Sequence, residues 1–420
     1  MTVKKNILFI SYDGMTDPLG QSQVIPYLAG LTAYGYGFTI LSCDKPDKYL
    51  QQKEYVMDLL EPYSIKWISI PYHKNPPVLS SYYDFIMLKK KAKELYIKEK
   101  FDLVHTRPGL PTLVALWLKK KYGLKFLNDI RGFWADERVD GGMWNMKNPL
   151  LKTMYKWFKR KEYECLEIAD HNTCLTFKAK EEMLSWKNIS NQPLNITVIP
   201  CSVDMELFNA ANIDMELKAA LKKELRIRDN DFIISYLGSV GGWYLTDMMM
   251  QFCKAVSDKI PHAKFLFISP NNHSAIKTAA KRVGLLPETI LVKHGKRHEV
   301  PALLSFSNYS VFFIKPCYSK LSSSPTKHGE IMAMGIPVIT NAGVGDVQEV
   351  VTKYDSGFVL EKMSQQNYSH YAGKLIDTSF DSKKIRDGAA EYYSLERAIQ
   401  QYAEVYARVL NKAHTLLPIA

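Results

Sequence analysis

The 420-residue chain has no run of eighteen apolar residues, so no membrane-spanning helix is expected. Its six cysteines (Cys43, Cys165, Cys174, Cys201, Cys253 and Cys317) include no CxxC pair and lie in apolar or strand-like settings. Structural zinc is therefore not expected, and buried free thiols in a reducing compartment are. The ten histidines contain no HExxH or other metal spacing, so no metal site is expected. The dinucleotide fingerprint GxGxxG is absent after the first strand-like run. No zinc-finger, RRM or helix-turn-helix signature supports nucleic acid as a partner. There is no low-complexity segment and no short internal repeat. The start, MTVKKNILFISYDG, has two lysines before an apolar run and resembles a signal peptide only superficially. The run is short and Asp13 interrupts it, so a first β-strand and a cytoplasmic location are the expectation.

What is present is ordinary globular composition, with 46% hydrophobic and 23% charged residues. The length favours two domains over one core. Residues 1–200 hold 29 Lys+Arg against 21 Asp+Glu, so +8 of the chain's net +12 falls in the first half. Two basic segments read as amphipathic helices: Met87–Lys100, MLKKKAKELYIKEK, and Leu150–Glu164, LLKTMYKWFKRKEYE. A solvated face with snorkelling lysines suits the first. In the second, Met154, Tyr155, Trp157 and Phe158 exceed what a solvated face needs. An anionic membrane surface and a solvated face suit it equally.

Strand-like runs alternate with helical stretches twice over. In the first half they are 6–11, 38–43, 65–70, 101–106, 124–129 and 171–176, separated by helical stretches near 21–34, 49–60, 81–99, 110–121 and 149–168. In the second half they are 232–238, 264–269, 290–295, 309–314, 337–340 and 357–360. This alternation predicts α/β architecture, with two doubly wound, Rossmann-like parallel sheets facing across a cleft. The expected division is 1–200, joined by a last helix over 395–418, and 201–394. The junction VIPCSVDMELF reads as a strand, a turn and a short helix. Such sheets bind ligands beyond the carboxyl ends of their strands.

The most specific stretch is Ser322–Thr340, SSSPTKHGEIMAMGIPVIT. Ser324 is a good N-cap and Pro325 suits the first turn, so a helix is expected to start there. The N–H groups of Thr326, Lys327 and His328 then lack intrahelical partners and suit a phosphate. Glu330 lies three residues after Lys327, about one turn (~5.4 Å) deeper on the same face. A diphosphate at the helix mouth would leave a ribose beside its carboxylate. A plain capped helix is the alternative. Other loops supply company. In DGMTDPLGQSQ, Gly20 allows backbone to approach a ligand. In YLGSVGGWYLTDM, Gly238 and Ser239 follow a strand. In GKRHEV, Arg297 suits a diphosphate clamp, with an exposed basic turn as the alternative. DIRGFWADERVDGGMW crowds Asp129, Arg131, Trp134, Glu137 and Arg138 after a buried strand. Sugar stacking and hydroxyl binding there compete with structural Asp129–Arg131 or Arg138–Glu137 pairs. Arg107 in HTRPG is a candidate anion contact, and PYHKNPP (Pro71–Pro77) is a third polar loop.

These segments, DGMTDPLGQSQ, DIRGFWADE, VIPCSVDMELF and SPTKHGEIMAMGIPVIT, resemble retaining GT-B glycosyltransferases of glycosyltransferase family 4, over nearly the whole length. Many members build cell-surface polysaccharides at the cytoplasmic membrane face. The resemblance implies a nucleotide-sugar held mainly by the second domain and a last helix crossing back to the first. It also implies metal-independent transfer with retention, needing no cofactor. Glu330 is then the ribose ligand, Ser324–Lys327 and Arg297 hold the diphosphate, and Gly20 approaches the donor. Ser322 stands where the family often has a second acidic residue near the transferred sugar. The family's basic pair after the first strand of the second domain is not evident near Gly238, so Arg297 and Lys327 carry that charge.

The expected activity is transfer of a sugar from a nucleotide diphosphate sugar to a hydroxyl of a glycan or lipid-linked glycan, for exopolysaccharide, O-antigen or another cell-envelope glycan. Lys327 and Arg297 would neutralise charge, with Asp129 orienting the acceptor or acting as base. Arg107, Arg131, Trp134 and Glu137 are acceptor-side candidates. Two other readings are a nucleotide-sugar 2-epimerase of the same fold and a non-catalytic membrane-associated protein using Leu150–Glu164.

Overall fold

The computed structural model describes residues 5–76, 78–190, 193–270 and 272–410. Seven strands make the first sheet: β1 (Lys5–Ser11), β2 (Tyr36–Asp44), β3 (Lys66–Pro71), β4 (Leu103–Thr106), β5 (Lys125–Ile130), β6 (His171–Cys174) and β7 (Ile196–Val198). Six make the second: β8 (Phe232–Leu237), β9 (Ala263–Ile268), β10 (Ile290–Lys293), β11 (Tyr309–Val311), β12 (Val338–Asn341) and β13 (Gly357–Leu360). The orders are β3-β2-β1-β4-β5-β6-β7 and β10-β9-β8-β11-β12-β13. Neighbouring strands are parallel throughout, as in Ile7 opposite both Phe38 and Leu103. β2 is buried at all nine positions. That burial is why its sequence runs apolar rather than alternating: helices cover both faces.

Two compact units result, residues 1–200 with 395–420 and residues 201–394. In the first, one face of the sheet packs on a core built from Ile7, Phe38, Leu127 and Tyr406. The other face packs on Leu8, Leu41, Val104 and Val114. Helix Leu395–Val409 closes the former core, burying Ala398, Tyr402, Val405 and Tyr406. It lies so close to helix Ile25–Thr32 that a Cβ on Gly30 would overlap Ile399. The part of the expected last helix beyond residue 410 lies outside the described residues, as does Pro77 of the Pro71–Pro77 loop. The second unit has one continuous core that includes Tyr236, Phe252, Phe265 and Phe313.

Three local expectations are corrected. The single helix expected over 21–34 is two, Pro18–Gln23 and Ile25–Thr32, broken at Val24. Pro26 has no N–H to give the preceding turn and disfavours helical backbone before it. Trp134–Asp140, read as loop, is a short helix. The short helix read in DMELF is a run of turns in which Asp204 accepts from the Glu206 and Leu207 amides.

Candidate functional site

In the second unit, helix Thr326–Ala333 begins one residue later than its sequence suggests. Pro325 is the N-cap residue, with extended backbone (φ −69°, ψ 114°) and no side-chain cap. The Ser324 hydroxyl instead accepts from the Cys201 amide at 3.2 Å, tying the junction segment to the helix mouth. The His328 amide, expected to be available, donates to the Pro325 carbonyl at 2.9 Å. The Thr326 and Lys327 amides have no partner among the described residues.

Lys327 is buried, and its ammonium lies over two rings, 4.4 Å from the Tyr236 centroid and 3.8 Å from that of Tyr244. It donates to the Tyr236 hydroxyl at 3.2 Å. Gly238 has φ +117°, and a Cβ there would sit 2.8 Å from Lys327 Nζ. The backbone angle therefore calls for glycine, and the near atoms are the end of the Lys327 side chain. Burial pushes the Lys327 pKa down to about 7, against an opposing pull from the Glu330 charge. Glu330, also buried, pairs with Arg297, whose guanidinium is half-exposed and rests 4.8 Å from the Phe208 ring centroid. By sequence Arg297 and Glu330 have separate duties; the structure joins them in one ion pair. A carboxylate has about four lone-pair sites, so Glu330 holding Arg297 retains capacity for ribose hydroxyls.

Around this group stand residues that no sequence motif marks. Tyr236 and Tyr244 cradle Lys327, and Trp243 does the same for buried Lys320, with Nζ 3.9 Å from the indole. In YLGSVGGWYLTDM the glycines draw the eye, yet the adjacent Trp243 and Tyr244 are the signal. Ser239 is exposed, and its carbonyl accepts from the Tyr236 hydroxyl. Ser322 is buried and donates to the Ser319 carbonyl at 2.7 Å.

In the first unit the loops leaving β4 and β5 bring charges together. Asp129 is buried, accepting from the Thr173 hydroxyl at 2.8 Å, with His105 Nε2 at 3.6 Å and Arg131 Nη1 at 3.9 Å. Burial alone would raise its pKa, but the Arg131 charge and His105 outweigh that and hold it below the usual carboxylate range. The structural Asp129–Arg131 pairing is thus present. Arg131 also reaches the Tyr402 hydroxyl at 3.4 Å and Gln23 Oε1 at 3.3 Å. Arg107 is buried, donating to the Gln23 carbonyl at 3.3 Å, with Asp13 3.5 Å from its Nε. Trp134 has one ring face covered by the Arg138 guanidinium, 3.2 Å from its centroid, and packs on Phe158 at 4.7 Å. Glu137 lies beside Gly132. Gly20 is buried against its own loop: a Cβ there would stand 2.7 Å from Met15 Cα. The backbone approach its sequence promised is made to the Gly14–Met15 turn.

Comparison with known proteins gives this geometry a setting. Residues 218–392 match the family model described as glycosyl transferases group 1. Residues 22–207 match glycosyltransferase family 4. The chain is a GT-B glycosyltransferase. Lys327, Glu330, Arg297 and Gly238 fall in the first match, and Arg107, Asp129, Arg131 and Trp134 in the second. No curated protein matches the chain. Among solved structures, sucrose-phosphate synthase from Thermosynechococcus elongatus shares the fold at TM-score 0.73 and 15% identity, covering 97% of this chain and 100% of its own. HepE from Anabaena, solved in complex with UDP, aligns at TM-score 0.69 and 14% identity over 96% and 99%. WaaG, a glycosyltransferase involved in lipopolysaccharide biosynthesis, aligns at 0.65 and 13% over 95% and 99%.

Proposed function

We propose that this glycosyltransferase moves a sugar from a nucleoside diphosphate sugar to an acceptor hydroxyl with retention, in synthesis of a cell-envelope glycan. The observation that carries this reading is a buried ammonium, Lys327, beside two unpartnered helix amides and one turn from a buried carboxylate. Two phosphates and a ribose need that set: cation and amides for the one, acceptor oxygens for the other. HepE binds UDP in its solved form, which supports a nucleotide donor here. The lipopolysaccharide role of WaaG supports the envelope setting.

In this reaction the acceptor oxygen bonds to the anomeric carbon as the bond from that carbon to the diphosphate breaks. The acceptor proton passes to the departing phosphate oxygen on the same face, so configuration is retained and no enzymatic nucleophile is needed. The barrier is growth of oxocarbenium and phosphate charge. Lys327, Arg297 and the Thr326 and Lys327 amides oppose that charge, and no metal or other cofactor takes part. Asp129 positions Arg131 and His105 rather than taking the proton. Arg107, Arg131, Trp134 and Glu137 line the acceptor side. The protein works at the cytoplasmic membrane face, where its lipid-linked acceptor lies, and Leu150–Glu164 contributes basic charge toward anionic lipid.

A thermal-shift screen of nucleoside diphosphates and their sugars tests the donor. A true ligand at 100 times its dissociation constant stabilises by about 2.7 kcal/mol. Absence of any shift across UDP, GDP and their sugars defeats the reading. Incubation with donor alone separates the 2-epimerase alternative, which isomerises the sugar without an acceptor. The product's anomeric coupling constant decides retention.

A further inference from the structure

Helix Leu79–Glu99 turns one stripe inward, made of Ser80, Asp84, Leu88, Ala92 and Leu95. Position 84 is thus a core position, yet it holds a carboxylate with no exposed surface. Burying that charge is costly, and an apolar side chain would pin the helix without the cost. The contacts of Asp84 are specific. Its Oδ2 accepts from the Tyr12 hydroxyl at 2.8 Å and from the His73 amide at 3.1 Å, and its Oδ1 lies 2.6 Å from His73 Nδ1. One carboxylate therefore holds both the main chain and the ring of His73. An ionised carboxylate only accepts, so Nδ1 carries the proton and Nε2 of the neutral ring is left as an acceptor. Nε2 has no partner among the described residues, and the His73 side chain is 42% exposed. Tyr83, itself 50% exposed, stands at right angles to the imidazole with ring centroids 5.1 Å apart. The pair lies on the ligand side of the sheet. His73 follows β3 by two residues, Tyr12 directly follows β1, and the next residue, Asp13, is 3.5 Å from Arg107 Nε.

We propose that His73 binds the acceptor sugar, its Nε2 accepting from one of the sugar's hydroxyls, and that Asp84 is the positioning residue that fixes the tautomer. The role of that sugar as acceptor rests on the transfer reading above; its chemical class comes from the site itself. An accepting nitrogen beside an exposed aromatic ring matches the two things a pyranose presents, an O–H to donate and C–H groups to pack. The bound hydroxyl is distinct from the one that is glycosylated, whose proton goes to the departing phosphate. A free histidine ring would sample both tautomers and many orientations. Here the carboxylate has removed that freedom before any ligand arrives, so little ordering is left to oppose binding.

Methyl pyranosides of glucose, galactose, mannose and N-acetylglucosamine, added to the full chain without nucleotide, are the probes. Nuclear magnetic resonance of the His73 ring nitrogens reports tautomer and contact, and resonances of the glycoside report affinity. Neutral His73 in the wild type carries its proton on Nδ1, and at least one glycoside moves the Nε2 resonance. His73→Ala weakens that glycoside about tenfold, the scale of one hydrogen bond. Asp84→Asn keeps the volume and can still accept from Tyr12 and the His73 amide, but its amide donates to Nδ1. The ring proton then moves to Nε2, the acceptor becomes a donor, and affinity falls by a similar factor. Lys74→Ala, at an exposed neighbour, leaves affinity unchanged. Melting temperatures confirm folding. The proposal is overturned if no glycoside moves the Nε2 resonance, if Nε2 carries the proton in the wild type, or if Lys74→Ala weakens binding as much as His73→Ala. It is also overturned if His73→Ala and Asp84→Asn lower the melting temperature while affinity stays at the wild-type value, which makes the pair a clamp on the loop after β3 and nothing more. Because sugar binding is read without nucleotide, its failure leaves the donor reading standing, and a failed nucleotide screen leaves this result intact.

Discussion

Lys327 carries two predictions. Burial holds its pKa near 7, so the ligand-free protein is only partly charged there at neutral pH. A bound diphosphate favours the ammonium and returns its pKa toward the ordinary lysine range near 10.4. Between those limits the complex holds a proton that the free protein lacks. Nucleotide binding should therefore take up close to one proton at pH 8 and almost none at pH 6, and affinity should fall as pH rises through 7. Calorimetry in buffers of different ionisation heat measures the uptake, and zero uptake at pH 8 removes Lys327 from the phosphates. The sign for stability is opposite. The unfolded chain binds this proton over the same range and the fold does not, so this group alone makes the ligand-free fold more stable as pH rises. Lys327→Met should accordingly lower turnover by roughly 10²–10³ while leaving the thermal midpoint no lower than wild type. A variant with wild-type turnover contradicts the assignment. The face shared by Lys327 and Glu330 was legible in sequence because three-residue spacing fixes it. Pairing of Glu330 with Arg297 was not, since 33 residues and a strand separate them. Nor were the rings beneath Lys327, whose approach depends on how β8 and its following loop are laid against the helix.

At the level of elements, the parallel sheets could be read because continuous β-branched runs alternate with helical stretches. What escaped were places where a single residue outranks the pattern. Pro26 splits a helix that periodicity draws as one, and Trp134–Asp140 turns helical despite its glycine-flanked, charge-rich sequence. Arg386 is a third case, for nothing in SKKIRDGAAEYY marks it out. Its guanidinium donates to the carbonyls of Met205 at 2.8 Å and Phe208 at 2.6 Å, and to that of Ala333, the last residue of the Lys327 helix. It thereby pins the turn that supports Arg297 to the far end of the helix that carries Glu330. Arg386→Met keeps the length and removes these bonds. It should cost about 1–3 kcal/mol in urea unfolding and weaken nucleotide binding, whereas a purely surface role predicts a change within about 0.5 kcal/mol.

Across the whole molecule, the two units are built differently. Residues 201–394 form an unbroken stretch, whereas the first unit needs helix Leu395–Val409 to complete one of its two cores. Within that helix the Tyr406 hydroxyl meets His105 Nδ1 at 2.7 Å, and the ring packs on Tyr36 at 5.0 Å. Removing residues 395–420 should abolish the first unit's calorimetric transition and leave that of 201–394 nearly unchanged; two intact transitions in the shortened protein contradict this. The arrangement also has a consequence for synthesis. The amino-terminal half leaves the ribosome some 195 residues before the piece that seals it, a wait on the order of 10–40 s at ordinary elongation rates. During that interval the apolar surface around Tyr27, Leu31 and Phe38 has no cover of its own. Chaperones that capture exposed apolar surface should therefore meet the first half of this protein far more often than the second, and a premature stop late in translation should cripple the half that was made first.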